Sequence, residues 1–402
     1  MTETQKQEAL RYPKPSPPWL GEPQLGAWYT DEEIDAAVAA MRSSMDWTGE
    51  GFGFIVREIE EFEEAFARYC GTKHAVSVVT ASVGLDMAMM CLDLEPGDEV
   101  ISPAINFRAS HHAVLGQGGK LVLCEVDERT LQADPADVES RVTDRTRAIF
   151  PVHMNGLSAP MDDLLDIAER HSARDGRPIR VIGDAARACG GGYRGTKIGK
   201  RGWMTVFSFH TMKLMTTLGE GGMVTTDDDD VAARLRDVRQ WGGAHEDHWG
   251  SSYKLTKVQA AVGLVQLRRL DEMISRRRAL GKQRSELLCD VEELTLPFEP
   301  PDCEHSYYLY TTLVPREWAG AKRDRVMSVA ESEYGVGCIV ANPPTYESVP
   351  YIRKRTQALP RADELGARII CTPMHPLMTG EQNAYVAAAL QDAVERARTE
   401  GT

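Results

Sequence analysis

Residues 206–226 read Val-Phe-Ser-Phe-His-Thr-Met-Lys-Leu-Met-Thr-Thr-Leu-Gly-Glu-Gly-Gly-Met-Val-Thr-Thr. A short apolar strand ends at Phe209, and a polar turn then carries one lysine, Lys213. Gly219-Glu-Gly-Gly222 leads into a second strand over 223–226. A lone lysine between two strands is ordinarily a solvated loop charge. Here Ser208 and Thr211 add hydroxyls, and the glycines let a ligand come close to the backbone. Upstream, Val181-Ile-Gly-Asp184-Ala-Ala186 is an apolar run that stops on a carboxylate. A buried strand ending in aspartate is where an open α/β sheet puts its chemistry.

The flanking sequence alternates strand and helix, as a parallel sheet requires. Strands are predicted at 75–79, 99–102, 120–125, 148–152, 180–183 and 205–209, with 222–226 returning at the sheet as the seventh. Helices are predicted through Cys91, from Ala109, over 135–142 and over 161–171. Ahead of the sheet, Thr30-Asp-Glu-Glu33 opens a helix to about Met41, with acidic residues suited to its first turn. Trp47-Thr-Gly-Glu-Gly-Phe-Gly53 is a glycine-rich turn, and a helix over 56–69 aligns Ile59, Phe62 and Phe66 on one face. Residues 1–27 are rich in proline and polar residues and are expected to form an extended arm, either a disordered tail or one that wraps a partner subunit.

Beyond the sheet, the acidic run at 227–230 reads as a solvated turn, and an amphipathic helix from Val258 toward Ile274 leads outward. Strands at 306–314 and 337–340, with helices near 323–333 and 380–398, fit a smaller C-terminal α+β domain. The expected division is an arm over 1–30, a large domain over 31–270 and a small one over 271–402.

At 402 residues the chain exceeds one ordinary core. Its hydrophobic content of 42% and charged content of 26% are those of a globular protein. A formal net charge of −14 argues against a general binder of nucleic acid or of anionic membranes. The eight cysteines are scattered with no C-x-x-C pair, which reads as reduced thiols, not a disulfide framework or a zinc site. The polar N-terminus shows no signal-peptide core, and no run reaches the roughly 18 apolar residues of a membrane span. The expectation is a cytoplasmic enzyme with no metal.

A lysine for a Schiff base and an aspartate for a pyridinium nitrogen are the pair that pyridoxal phosphate needs. Asp184-Ala-Ala, Ser208-Phe-x-x-x-Lys213, Gly-Glu-Gly-Gly and Thr225-Thr226 together resemble the DegT/DnrJ/EryC1/StrS aminotransferases. The likeness extends from about Phe62 to about Leu390. It implies fold-type I, pyridoxal 5'-phosphate and transfer of an amino group to a keto-sugar or keto-cyclitol. By the same analogy the donor is L-glutamate or L-glutamine, the enzyme is a homodimer with its site at the subunit interface, and antibiotic biosynthesis is a setting. Elimination or decarboxylation on the same residue pair stays open, as does a non-catalytic regulator that binds the cofactor. The sugar-dehydratase branch is disfavoured, because there the lysine is replaced.

The resemblance assigns roles residue by residue. Lys213 carries the cofactor and the proton shift, and Asp184 holds the pyridine nitrogen protonated. Thr80-Ala81-Ser82 falls where the family has Ser-Gly-Thr, at a strand-to-helix turn suited to phosphate and also to a plain helix cap. Ser208 aligns with a second phosphate contact. Ser252 stands where relatives have an asparagine reaching across the dimer, and Lys254 follows where arginine is usual. Phe107 takes the place of the aromatic that stacks on the ring. Arg187 departs from the glutamine or histidine usual there; its fixed charge suits a phenolate or a substrate carboxylate. His210 and Tyr346 are candidate substrate contacts. His153 and His305 rank below them, and His375 is expected at the domain junction.

Overall fold

Apolar runs from across the chain assemble into one sheet in the computed structural model, which describes residues 1–49, 53–172, 177–243 and 249–399. The N-terminal part contributes α1 (Glu3–Ala9), α2 (Asp31–Ser43) and α3 (Arg57–Cys70). The alternation follows as β1 (His74–Val78), α4 (Ala81–Met90), β2 (Glu99–Pro103), α5 (Arg108–Gly116), β3 (Lys120–Cys124), α6 (Pro135–Ser140), β4 (Thr146–Ile149), α7 (Met161–His171) and β5 (Arg180–Asp184). Two short strands, β6 (Gly192–Tyr193) and β7 (Thr196–Lys197), precede β8 (Met204–Ser208), β9 (Gly222–Thr226) and α8 (Asp229–Arg239).

The main sheet has seven strands in the order β1-β9-β8-β5-β4-β2-β3. Only β9 runs against its neighbours β1 and β8; the other pairings are parallel. The central strands are buried on both faces, as parallel strands covered by helices must be. Ile182 packs into the main core while Val181, one residue earlier, faces a second cluster with Leu164 and Ile167 of α7. Val100 and Ile101 of β2 divide in the same way. Every parallel strand therefore delivers its carboxyl end to one edge, and β9, running back, starts there with Gly222.

α9 (Lys257–Leu288) leads out of this unit for 32 residues, well past the expected end near Ile274. Its start is fixed by a capping box of Thr256 and Gln259. Side chains through Ile274 join the main core, whereas Leu280 and Leu288 join a second core. We propose that the handover between the units lies there, inside one continuous helix. The smaller unit holds β10 (Cys303–Glu304), β11 (Tyr310–Leu313), α10 (Ala321–Tyr334), α11 (Thr345–Ser348), α12 (Pro350–Arg353), α13 (Pro360–Gly366), β12 (Ile369–Thr372) and α14 (Gly380–Thr399). β11 and β12 pair antiparallel, and β10 joins β6 and β7 in a three-stranded patch between the units.

Four local expectations are corrected. The arm is extended only in part: Thr2 and Gln5 form a capping box that starts α1. Lys6 of α1 pairs with Glu395, and Tyr12 and Trp19 pack on the Tyr385 ring at 5.4 and 6.0 Å, so the arm is held on α14. The acidic run is a helix start, because Asp228 accepts from the Asp230 and Val231 N–H groups and caps α8. The 337–340 segment is not a ladder; it makes a single bridge, Ile339 with Cys371. The 306–314 strand shortens to β11 because Tyr307 has φ 49°, which breaks the extended backbone before it. The glycine-rich turn after Trp47 includes residues 50–52, which lie outside the described residues.

Candidate active site

The carboxyl edge of the sheet opens into a cavity of about 340 Å³, within the usual range for a small-molecule site. Its lining includes Asp184 from the end of β5, Ser208 from the end of β8, and Lys213 in the turn that follows. Thr80, Ala81 and Ser82 enter from the β1–α4 junction, and Asn106 and Phe107 from beyond β2. Arg187 and His210 complete the predicted residues found there. Nine of the residues singled out from sequence therefore line one cavity.

Lys213 is partly buried, and desolvation, reinforced by the Arg187 charge, pushes its amine down to about 8. Its Nζ donates to the Tyr308 hydroxyl at 3.2 Å and lies 4.8 Å from the centre of that ring. Asp184 is 4% exposed, so its carboxylate depends on internal donors. Oδ1 accepts from the Ala186 N–H at 3.0 Å, and Oδ2 accepts from the Ser110 hydroxyl. The backbone locks it too: His153 N–H donates to its carbonyl, and its own N–H donates to Pro151, each at 2.9 Å.

Thr80 caps α4 with an extended backbone (φ −151°, ψ 157°), its hydroxyl accepting from Val83 N–H. The Ala81 and Ser82 N–H groups belong to the first turn, which a helix leaves without internal partners. A Cβ on Gly222 would stand 2.7 Å from the Ala81 nitrogen, so only glycine lets β9 start this close to the turn. Ser208 Oγ accepts from His210 N–H at 3.3 Å.

Arg187 donates to Asn342 Oδ1 at 3.0 Å and lies over the Tyr308 ring, 5.3 Å from its centre. Its Nη1 and the Oδ1 of Asn106 are buried without a hydrogen-bond partner among the described residues. Phe107 lines the cavity with a half-open ring, 48% exposed. His210 stands 3.9 Å from Glu220 and accepts from Met212 N–H.

The other residues singled out from sequence lie outside this cavity lining. Ser252 bridges to Gln240 in the backbone, and its hydroxyl accepts from Lys254, whose ammonium sits 3.8 Å above Trp241. Tyr346 is turned inward: its hydroxyl donates its one proton to Asp363 at 2.6 Å and accepts from Leu359 N–H at 2.8 Å. His153 and His305 are packing groups, fully buried and pushed down to about 3 by burial. His375 contacts the Ala27 carbonyl at 3.0 Å, tying the arm to the small unit.

Sequence reading missed Tyr308, Glu22, Asn106 and Asn342. Tyr308 donates its hydroxyl proton to Glu22, which the arm brings into the cavity lining. Only the doublet Tyr307-Tyr308 ahead of a strand signals the first. Nothing local signals the second, since its placement depends on the whole path of the arm.

A buried amine of lowered basicity, a desolvated carboxylate and a helix N-terminus converging on one cavity at a sheet's carboxyl edge fit pyridoxal phosphate. The arrangement defines a pyridoxal-phosphate-dependent transferase of the α/β type. The DegT/DnrJ/EryC1/StrS aminotransferase family profile matches residues 29–391, and the chain belongs to that family. The GDP-perosamine synthase of Caulobacter vibrioides is 37% identical over 346 residues, 85% of this chain and 91% of that protein. The dTDP-3-amino-3,4,6-trideoxy-alpha-D-glucose transaminase of Streptomyces venezuelae is 34% identical over 371 residues, covering 90% and 93%. The crystal structure of S. venezuelae DesV superposes with a TM-score of 0.82 at 33% identity, over 91% of this chain and 96% of that one. The fold is fold-type I, and the protein is a pyridoxal-phosphate-dependent aminotransferase. Among the described residues, no helix is long and apolar enough to cross a membrane.

Proposed function

We propose that this aminotransferase moves an amino group from L-glutamate or L-glutamine to a keto-sugar carried on a nucleotide. The observation that carries the reading is the shared cavity of Lys213, Asp184 and the α4 N-terminus. The two named relatives, one of which makes a GDP-linked and the other a dTDP-linked aminosugar, support the acceptor class. A free keto-cyclitol belongs to the same acceptor chemistry.

Bound pyridoxal phosphate supplies an electron sink for the substrate carbon that gains or loses the proton. Lys213, neutral in an appreciable fraction near pH 8, is the nucleophile that holds the cofactor and the base that carries the proton once released. Asp184, fixed by Ser110 and Ala186, offers a carboxylate that keeps the pyridine nitrogen protonated. The Ala81 and Ser82 N–H groups and the Ser208 hydroxyl bind the phosphate, and Phe107 lies against the ring. Arg187, with one guanidinium nitrogen unpartnered, binds the phenolic oxygen or a substrate carboxylate. His210, at the mouth beside Glu220, contacts substrate. Ser252 serves the site of a second subunit in a homodimer. The setting is cytoplasmic secondary metabolism, antibiotic biosynthesis included.

The test is a coupled incubation of cofactor-loaded protein with L-glutamate or L-glutamine and GDP- or dTDP-linked keto-hexoses, followed by mass analysis. The expected product carries an amine in place of the ketone, with the donor turned into its keto acid. Donor conversion with no acceptor aminated would reject the sugar assignment.

A further inference from the structure

Tyr308 and Glu22 form a chain of two hydrogen bonds that ends on Lys213, and none of the assigned roles uses it. The Lys213 Nζ donates to the Tyr308 oxygen at 3.2 Å, and the Tyr308 hydroxyl donates to Glu22 Oε1. A phenol has one proton to give. Because Glu22 takes it, the Tyr308 oxygen faces Lys213 as an acceptor only. The contact therefore consumes one N–H of the amine and leaves its lone pair uncovered. Without Glu22, the Tyr308 O–H would turn to the best acceptor nearby, which is that lone pair.

The arm carrying Glu22 is built into the site. Gly26 N–H donates to the Thr211 carbonyl at 3.0 Å, two residues before Lys213. A Cβ on Gly26 would stand 2.1 Å from the Met212 carbonyl oxygen, so the arm lies flat on the lysine turn. Arg277, wholly buried, donates to the Gly26 carbonyl at 2.6 Å and to the Tyr307 carbonyl at 3.0 Å, clasping arm and tyrosine segment together.

We propose that Glu22 and Tyr308 are positioning residues that keep the Lys213 lone pair available for condensation with the cofactor aldehyde, in which the C=N bond would form as the aldehyde oxygen leaves as water with the two amine protons. The inference rests on Lys213 being the cofactor lysine. The charged groups facing that amine are Arg187, Glu22, Asp184 and Glu220. Glu22→Gln removes the charge but keeps an oxygen acceptor for Tyr308, whereas Glu22→Ala removes both.

The experiment follows uptake of pyridoxal phosphate by cofactor-free protein, by absorbance, as a function of pH. Wild type, Glu22→Gln, Glu22→Ala, Tyr308→Phe and the double variant Glu22→Ala/Tyr308→Phe are compared. At high pH, where the amine is neutral in every variant, Glu22→Ala is expected to attach cofactor about tenfold more slowly, the worth of one hydrogen bond. Glu22→Gln keeps the wild-type plateau, while its midpoint moves to lower pH because the carboxylate no longer supports the ammonium. The double variant recovers the plateau, since no O–H remains to cap the lone pair. A wild-type plateau in Glu22→Ala, or a double variant no faster than Glu22→Ala, overturns the proposal. Absence of any linkage in wild type would instead overturn the assignment of Lys213.

Discussion

A lysine amine, partly buried in the cavity beside an arginine, is the residue on which the central claim turns. Because Lys213 is pushed down to about 8, the folded protein releases its proton well before the unfolded chain, whose lysines keep theirs to about 10.4. Between these values the unfolded state binds more protons, so the stability of cofactor-free protein rises with pH across that window. Lys213→Met removes the rise; denaturant midpoints of both proteins over the window measure it, and parallel curves would contradict the burial argument. Asp184→Asn keeps the shape and loses the charge. Turnover is expected to fall on the order of 10²–10³-fold, as when one preorganised electrostatic partner is removed, while the lysine linkage still forms. Steady-state kinetics beside absorbance would show the split. Lys213 and Asp184 were legible because each sits in a local pattern, a strand ending on a polar turn. Glu22 was not, since a carboxylate in a proline-rich arm acquires meaning only from where the arm lies. Tyr346 lies outside the cavity lining because Asp363 and Leu359 hold its hydroxyl, which its place in the sequence does not reveal.

Periodicity located elements well where one face is apolar and less well where a cap decides. The strand-helix alternation from β1 to β9 follows from buried runs separated by turns, and α7 keeps its predicted limits of Met161 and His171. The acidic run before α8 was misread because four aspartates look solvated, whereas Asp228 is a cap and the next two complement the helix N-terminus. α9 outran its prediction because its second half is rich in arginine and buries Arg277 and Arg284 by hydrogen bonding beside Leu280 and Leu288. Arg284 donates to Asn383 at 2.9 and 2.7 Å and to Thr372 at 2.8 Å, and such pairing is invisible to an apolar count. Two glycines let α9 lie close to its neighbours. A Cβ on Gly263 would meet the Phe62 ring at 2.7 Å, and one on Gly281 would meet the Tyr307 ring at 2.7 Å. Gly263→Ala gains about 1 kcal/mol of helix propensity but overpacks the core by about 1–3 kcal/mol, so a net loss of roughly 1 kcal/mol is expected in urea unfolding. A stabilised variant would contradict the packing argument.

At the scale of the whole molecule, Arg277 and Arg284 of α9 tie the arm and the small unit to that helix, and among the described residues neither pairs with a carboxylate. Burial pushes Arg277 and Arg284 down to about 10, yet both remain charged at neutral pH and depend on carbonyl and amide acceptors. Asn383→Ala strips Arg284 of its main acceptor and is expected to cost about 2–3 kcal/mol, measured by thermal unfolding; a loss near zero would mean that water replaces it. We place the division into units inside α9, where side chains pass from one core to the other, a change that leaves no break in the sequence. One spectrum tests the central claim most directly. Purified protein mixed with pyridoxal phosphate is recorded before and after adding L-glutamate or L-glutamine, alongside Lys213→Ala. The account predicts a lysine-linked absorbance band that the amino acid converts to the pyridoxamine form, and no such band in the variant. An unchanged band in Lys213→Ala, or none in the wild type, would contradict it.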